Sequence, residues 1–198
     1  IVDTVSSMSA MKIEVDRLGI DCCIAGVQKA FALPPGLAVF TVSEKAMKKA
    51  ENATDRGYYF DFLEFDKNDL KNNTPSTPCI SQIYAMERQL NNMFVEGLEK
   101  RFARHKEMAK FTRNWVLSQG FKLYAKEGYE SITLTSCRNA RNADMERLKK
   151  ELGERGIAFD NGYGKIKNET FRIAHMGDLH IKDLKELFDM IEAIIPGN

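Results

Sequence analysis

Ile24-Ala25-Gly26-Val27-Gln28-Lys29-Ala30-Phe31-Ala32-Leu33-Pro34-Pro35-Gly36 carries one lysine among small and apolar neighbours, just before a Pro-Pro-Gly turn. The residues leading into it, Ile20-Asp21-Cys22-Cys23-Ile24-Ala25-Gly26, and those beyond it, Leu37-Ala38-Val39-Phe40-Thr41-Val42, are short apolar runs bounded by glycine. Both read as strands. Lys29 therefore follows the carboxyl end of a strand, where α/β sheets bind ligands. Two readings stay open for it. A partly desolvated amine there is a nucleophile able to form a Schiff base. A lysine beside a turn can equally be a solvated surface group or the partner of a carboxylate.

Asp3 bears on that choice. Ile1-Val2-Asp3-Thr4-Val5-Ser6-Ser7 predicts a buried strand running into a turn, so a second ionisable group ends near the same sheet edge. A lysine and a carboxylate together suit pyridoxal phosphate. The amine holds the aldehyde, and the carboxylate keeps the pyridine nitrogen protonated so that the ring withdraws electrons. The alternative for Asp3 is a carboxylate that caps a turn.

Further along, Ser43 caps a helix over 44–50. Residues 52–78 are mixed and end in the polar, proline-rich loop 71–78. A long helix begins at Ile80, with Ile83, Met86, Leu90, Met93, Phe94, Gly97 and Leu98 at helical spacing, and the pattern continues, unbroken or with one break, towards Gly120 as a connector. Strands are predicted at 131–135 and 170–174, and helices at 144–152 and 183–195, the last stopped by Pro196-Gly197. This order predicts an α/β architecture: a large-domain remnant over 1–78, then the connecting helix and a small α+β domain over 79–198.

Composition narrows the function classes. The 198 residues are 43% hydrophobic with a formal net charge of +1, which gives no electrostatic case for a nucleic-acid partner. No apolar run approaches the length of a membrane span. Cys22, Cys23, Cys79 and Cys137 match no zinc spacing and read as reduced, buried thiols of a cytoplasmic protein. His105, His175 and His180 form no metal pairing. His105 reads as part of the solvated basic run Arg101-Phe102-Ala103-Arg104-His105-Lys106.

The segments Val2–Ser7, Val15–Asp21 and Ala25–Gly36 resemble the class V, fold-type I aminotransferases that use pyridoxal phosphate, the alanine–glyoxylate and serine–pyruvate group in particular. The likeness continues through Thr77-Pro78-Cys79-Ile80-Ser81-Gln82-Ile83-Tyr84-Ala85 to Phe171-Arg172-Ile173-Ala174-His175-Met176-Gly177. The family's usual form has serines where Ala25 and Val27 stand. The resemblance implies that Lys29 carries the cofactor and later moves the proton at the substrate's Cα. It also implies that Asp3 meets the pyridine nitrogen, that Val5 packs on the ring and that Gln28 lies near the cofactor's oxygen or phosphate. Thr77 would reach a phosphate in the partner subunit of a homodimer, and Arg172 would grip the α-carboxylate of a small amino acid or 2-oxo acid. No metal is implied.

Family members are nearly twice this length, so the chain is expected to be a C-terminal fragment that lacks the phosphate-cradling turn. Alone it is expected to bind the cofactor poorly, to be inactive and, through exposed apolar faces, to associate with itself. Two competing readings are a related lyase or desulfurase on the same fold, and a folded scaffold without chemistry. Desulfurases of this superfamily carry histidine before the lysine. Gln28 stands there instead.

Overall fold

The structure is a computed structural model that describes residues 1–195, so the expected helix stop at Pro196-Gly197 lies outside the described residues. The chain divides into two compact units, residues 1–8 with 12–95, and residues 9–11 with 96 onward. By this division the expected boundary after residue 78 falls inside the first unit, because the helix that follows lays Met86 and Met93 into that unit's core.

In the first unit β1 (Val2–Asp3), β2 (Cys22–Gly26) and β3 (Ala38–Val42) form a sheet in that order. β1 runs parallel to β2, with Val2 opposite Cys23 and Asp3 opposite Ile24, while β3 is antiparallel to β2. The buried strand expected over residues 1–7 is thus only two residues long, and both are exposed. It lies at a sheet edge, where one neighbour shields it instead of two. Side-chain alternation along β2 sends Cys23 and Ala25 inward, and Ala25 joins Val27, Phe31, Met86 and Met93 in one core while Ile24 faces out. α1 (Glu44–Glu51) starts where Ser43 Oγ accepts the Ala46 N–H at 3.1 Å. α2 (Phe62–Asp69), unforeseen in the mixed stretch, is capped by Asp61 and rests Phe62 and Phe65 on Phe40, with ring centroids 5.6 Å apart in each pair.

The connecting helix is two helices. α3 (Ile80–Glu96) and α4 (Leu98–Ser118) are separated by Gly97, whose φ of 86° and ψ of 128° no L-residue adopts without a cost of about 1–3 kcal/mol. Gly97 therefore sets the break that the helical pattern leaves room for.

The second unit holds an antiparallel sheet of β4 (Lys122–Leu123), β5 (Leu134–Arg138) and β6 (Thr170–Ala174), in that order, with α5 (Met145–Glu154) and α6 (Ile181–Ile194). β5 starts three residues later than the sequence predicts. Met108, Trp115, Leu148, Phe188 and Ile191 from the helices share a core with Cys137, Phe171 and Ile173 from the sheet. Trp115 stacks on Phe188 at 4.0 Å and donates its Nε1–H to Glu192 Oε1 at 2.6 Å.

The basic run on α4 is not a solvated face. Arg101 and His105 are buried, the histidine completely. His105 donates its Nδ1–H to the Arg101 carbonyl at 2.8 Å, and its pKa is lowered chiefly by burial. His175 is also fully buried, with Nε2 bonded to the Thr135 hydroxyl at 2.8 Å, and burial pulls its pKa from 6.5 down to about 4. Between those values the unfolded chain binds a proton that the folded chain refuses. Stability from His175 is therefore present above pH 6.5 and is lost as pH falls through 4. Urea unfolding followed by Trp115 emission should show a loss of about 3 kcal/mol on going from pH 7 to pH 4. Much of that loss should vanish in His175→Gln, and a variant with an unchanged pH profile would refute this assignment.

Among the described residues no helix is long and apolar enough to cross a membrane, and no group of three or more His, Cys, Asp or Glu could hold a metal ion.

Candidate active site

The sequence around Lys29 folds into a closed turn. Val27 N–H donates to the Leu37 carbonyl (3.2 Å), Leu33 N–H to that of Val27 (3.1 Å), and Ala32 N–H to that of Lys29 (2.9 Å). From α3, Gln82 Nε2 donates to the Pro35 carbonyl at 3.2 Å. Val27, Ala30 and Phe31 are buried, and between them Gln28 and Lys29 are exposed. The amine thus stands on a base anchored on both sides. Ala32 completes the turn at φ 58°, a left-handed conformation that costs a non-glycine residue about 1 kcal/mol or more.

Of the two readings left open for Lys29, a partly desolvated amine or a solvated group beside a turn, its exposure matches the second. The small and apolar residues beside it fill the core, and Lys29 projects from the turn. It makes no hydrogen bond or ion pair among the described residues. Ala25 and Val27, at the two positions where the family's usual form has serine, are both 0% exposed in that core. Gln28 folds back over the strand end. A Cβ on Gly26 would lie 2.5 Å from Gln28 Oε1, so glycine leaves room for that side chain.

Asp3 closes β1. Its Oδ1 accepts the Val5 N–H at 2.8 Å, the turn-capping role weighed for it, while Oδ2 has no hydrogen-bond partner among the described residues. Thr4 fixes this end of the strand, since its N–H and its hydroxyl both bond the Ile24 carbonyl at 2.8 Å. Val5 follows, half-buried. Because β1 and β2 run parallel with Asp3 opposite Ile24, the residues after both strands emerge at the same sheet end. The fold brings Asp3 and the Gln28–Lys29 turn to that end.

Thr77 lies elsewhere in the first unit. It is exposed on the loop before α3 and, with Ile24, Phe40, Tyr59 and Phe60, lines an apolar cavity of about 530 Å³ that neither Asp3 nor Lys29 borders.

Arg172 belongs to the second unit, on β6 opposite Ser136. It is half-buried, its Nη2 pairs with Asp160 Oδ2, and its guanidinium carbon lies 4.7 Å from the Tyr163 ring centroid. Neither neighbour was anticipated. Asp160-Asn161-Gly162-Tyr163-Gly164 reads only as a turn, and nothing in its spacing points to a residue twelve positions on.

The sequence pattern that defines the family described as aminotransferase class-V matches residues 1–166. An uncharacterized aminotransferase of Methanocaldococcus jannaschii is 38% identical over 180 residues, 89% of this chain and 47% of that protein. A serine–glyoxylate aminotransferase of Methylorubrum extorquens is 34% identical over 186 residues, 90% of this chain and 46% of the relative. Among solved structures, an alanine–glyoxylate aminotransferase from Nostoc sp. superposes with a TM-score of 0.89 at 24% identity, over 98% of this chain and 52% of that one. The chain spans about half the length of the curated relatives it matches. At 24% identity the superposition speaks for the fold, a mixed α/β architecture, and the pattern match with the two relatives speaks for descent. This chain belongs to the aminotransferase class-V family.

Proposed function

We propose that this chain takes part in the pyridoxal-phosphate-dependent transfer of an amino group between a small amino acid and a 2-oxo acid such as glyoxylate or pyruvate. One observation carries the reading: a free amine and a carboxylate with an unengaged oxygen follow neighbouring parallel strands at one sheet end. That donor set fits an aldehyde-bearing pyridine. When bound, the cofactor supplies a carbonyl for the amino group and a ring that withdraws electrons from the substrate's Cα.

The chain's own residues supply the rest. Lys29, held on a turn anchored in the core and free of partners among the described residues, takes a proton from the substrate's Cα and returns it. Asp3 offers Oδ2 to the protonated ring nitrogen while Val5 N–H keeps Oδ1 in place. Val5 packs on the ring, and Gln28 bonds the cofactor's oxygen or phosphate. Arg172 binds the substrate's α-carboxylate, for which a planar guanidinium offers two parallel donors. Thr77, exposed on its loop, serves the partner subunit's phosphate in a homodimer. Glyoxylate is favoured by the name of the Methylorubrum relative, and the four free cysteines favour the cytoplasm.

Reductive trapping tests the proposal. The whole protein that contains this chain is incubated with pyridoxal phosphate, reduced with borohydride, digested and mapped. A pyridoxyl group on the peptide carrying Lys29 is the expected result. Modification spread over exposed lysines without preference would overturn it and favour the scaffold reading.

A further inference from the structure

The side chain assigned to the substrate's carboxylate already holds a carboxylate. Asp160 Oδ2 pairs with Arg172 Nη2, and the two residues also meet through the backbone, where Arg172 N–H donates to the Asp160 carbonyl at 3.2 Å. The contact is built. Asp160 Oδ1 accepts the Gly162 N–H at 2.8 Å, and Glu146 of α5 holds the loop beyond it by accepting from Asn161 Nδ2, Asn168 Nδ2 and Lys167 Nζ, each at 3.2 Å. Tyr163 covers one face of the guanidinium.

The pairing is also incomplete. Asp160 reaches the guanidinium at one nitrogen, and Arg172 Nε is buried with no hydrogen-bond partner among the described residues. A free carboxylate can bond two guanidinium donors at once and so outbids a single-point internal ligand. Asp160 also has somewhere to go. It borders a hollow of about 410 Å³ that Lys149 and Lys167 line as well, so a displaced carboxylate meets positive charge there.

We infer that Asp160 is an internal stand-in for the substrate's carboxylate, a latch that neutralises Arg172 until a carboxylate-bearing ligand displaces it. The inference rests on the assignment of Arg172 given above and adds a specificity device to it. A ligand without a carboxylate cannot compete with Asp160 for the guanidinium, so Arg172 stays closed to it.

The test uses lactate, a carboxylate with no carbonyl to react with Lys29, and lactamide as its neutral counterpart. Both are titrated into the protein and into Asp160→Asn while the Nε–H signal of Arg172 is followed by NMR, assigned by its loss in Arg172→Lys. Asparagine keeps Oδ1 as an acceptor for the Gly162 N–H, and Asp160→Ser serves as a second variant with an acceptor in the same turn. Lactate should bind the variants roughly three- to fivefold more tightly than the unaltered protein, the effect of removing a partly exposed ion pair, and lactamide should move the signal in none of them. Equal or weaker lactate binding in both variants overturns the latch and leaves the role of Arg172 standing. An Arg172 signal that lactate moves in no protein overturns both.

Discussion

Replacing Lys29 with alanine in the whole protein that contains this chain is expected to abolish the borohydride-trapped adduct and to lower amino transfer by about a thousandfold or more, the range lost when a covalent anchor and proton carrier are removed together. Arginine at the same position should do no better, because a guanidinium neither forms the imine nor gives up its proton near neutral pH. The fold should not notice. Lys29 is exposed and, among the described residues, unpartnered, while the turn is held by main-chain hydrogen bonds and by buried Val27, Ala30 and Phe31. Thermal unfolding of either variant should thus stay within about 0.5 kcal/mol of the unaltered protein. Stability kept and turnover lost is the combination that separates a chemical role from a structural one. Turnover within tenfold of the original would remove Lys29 from the mechanism.

The second large effect falls on stability. Arg101 is 1% exposed, and its guanidinium meets Glu96 Oε2 and Asp178 Oδ1 at 3.0 Å each and the Ser9 carbonyl at 3.1 Å. Burial pushes Glu96 towards its neutral form, but hydrogen bonds from Arg104 and Arg101 outweigh that and hold its carboxyl below the usual range. Arg101→Ala leaves this arrangement without its centre. The expected cost is about 3–5 kcal/mol, a large part of the 5–15 kcal/mol typical of a domain. Trp115 is the only tryptophan in the chain and belongs to the same unit, so denaturant unfolding followed by its emission reads the loss directly. Arg101→Met should recover part of it, since its unbranched side chain refills volume that alanine leaves empty, while Glu96 keeps its hydrogen bonds from Arg104. A loss below about 1 kcal/mol for Arg101→Ala would show that water had been solvating the arginine.

Arg101 also shows where the sequence is hard to read. Arg101, His105, Met108, Thr112 and Trp115 lie on one buried stripe of α4 at helical spacing, yet three of the five are polar. A search for apolar periodicity therefore turns that helix face outward. β5 goes astray for the same reason. Its inward residues include Thr135 and Cys137, and Thr133 just before it is buried too, while Ile132 and Leu134 are half-buried on the other side. Elements with conventional interiors and caps are legible. β2 and β3 lie within one or two residues of their expected limits, Ser43 and Asp144 cap the helices that begin after them, and β6 spans the expected residues.

In the candidate site, Lys29 and Asp3 are legible because each follows an apolar run and chain order alone carries them to a strand end. The exposure of Asp3 is not legible, since its strand reads as buried, and for Lys29 the sequence leaves exposure open because its neighbours look like a pocket in one dimension but are core residues in three. Asp160 could not be found this way at all. Its meeting with Arg172 depends on a turn folding back along β6, which no local pattern records.

The cysteines offer a last consequence. Cys22, Cys23 and Cys137 are buried, and burial pushes the Cys137 thiol far above the ordinary range, whereas Cys79 is exposed on the wall of the apolar cavity that Thr77 also lines. A thiol-directed dye would therefore find one ready attachment point, and its colour or polarisation would report on whatever enters that hollow without a single engineered substitution.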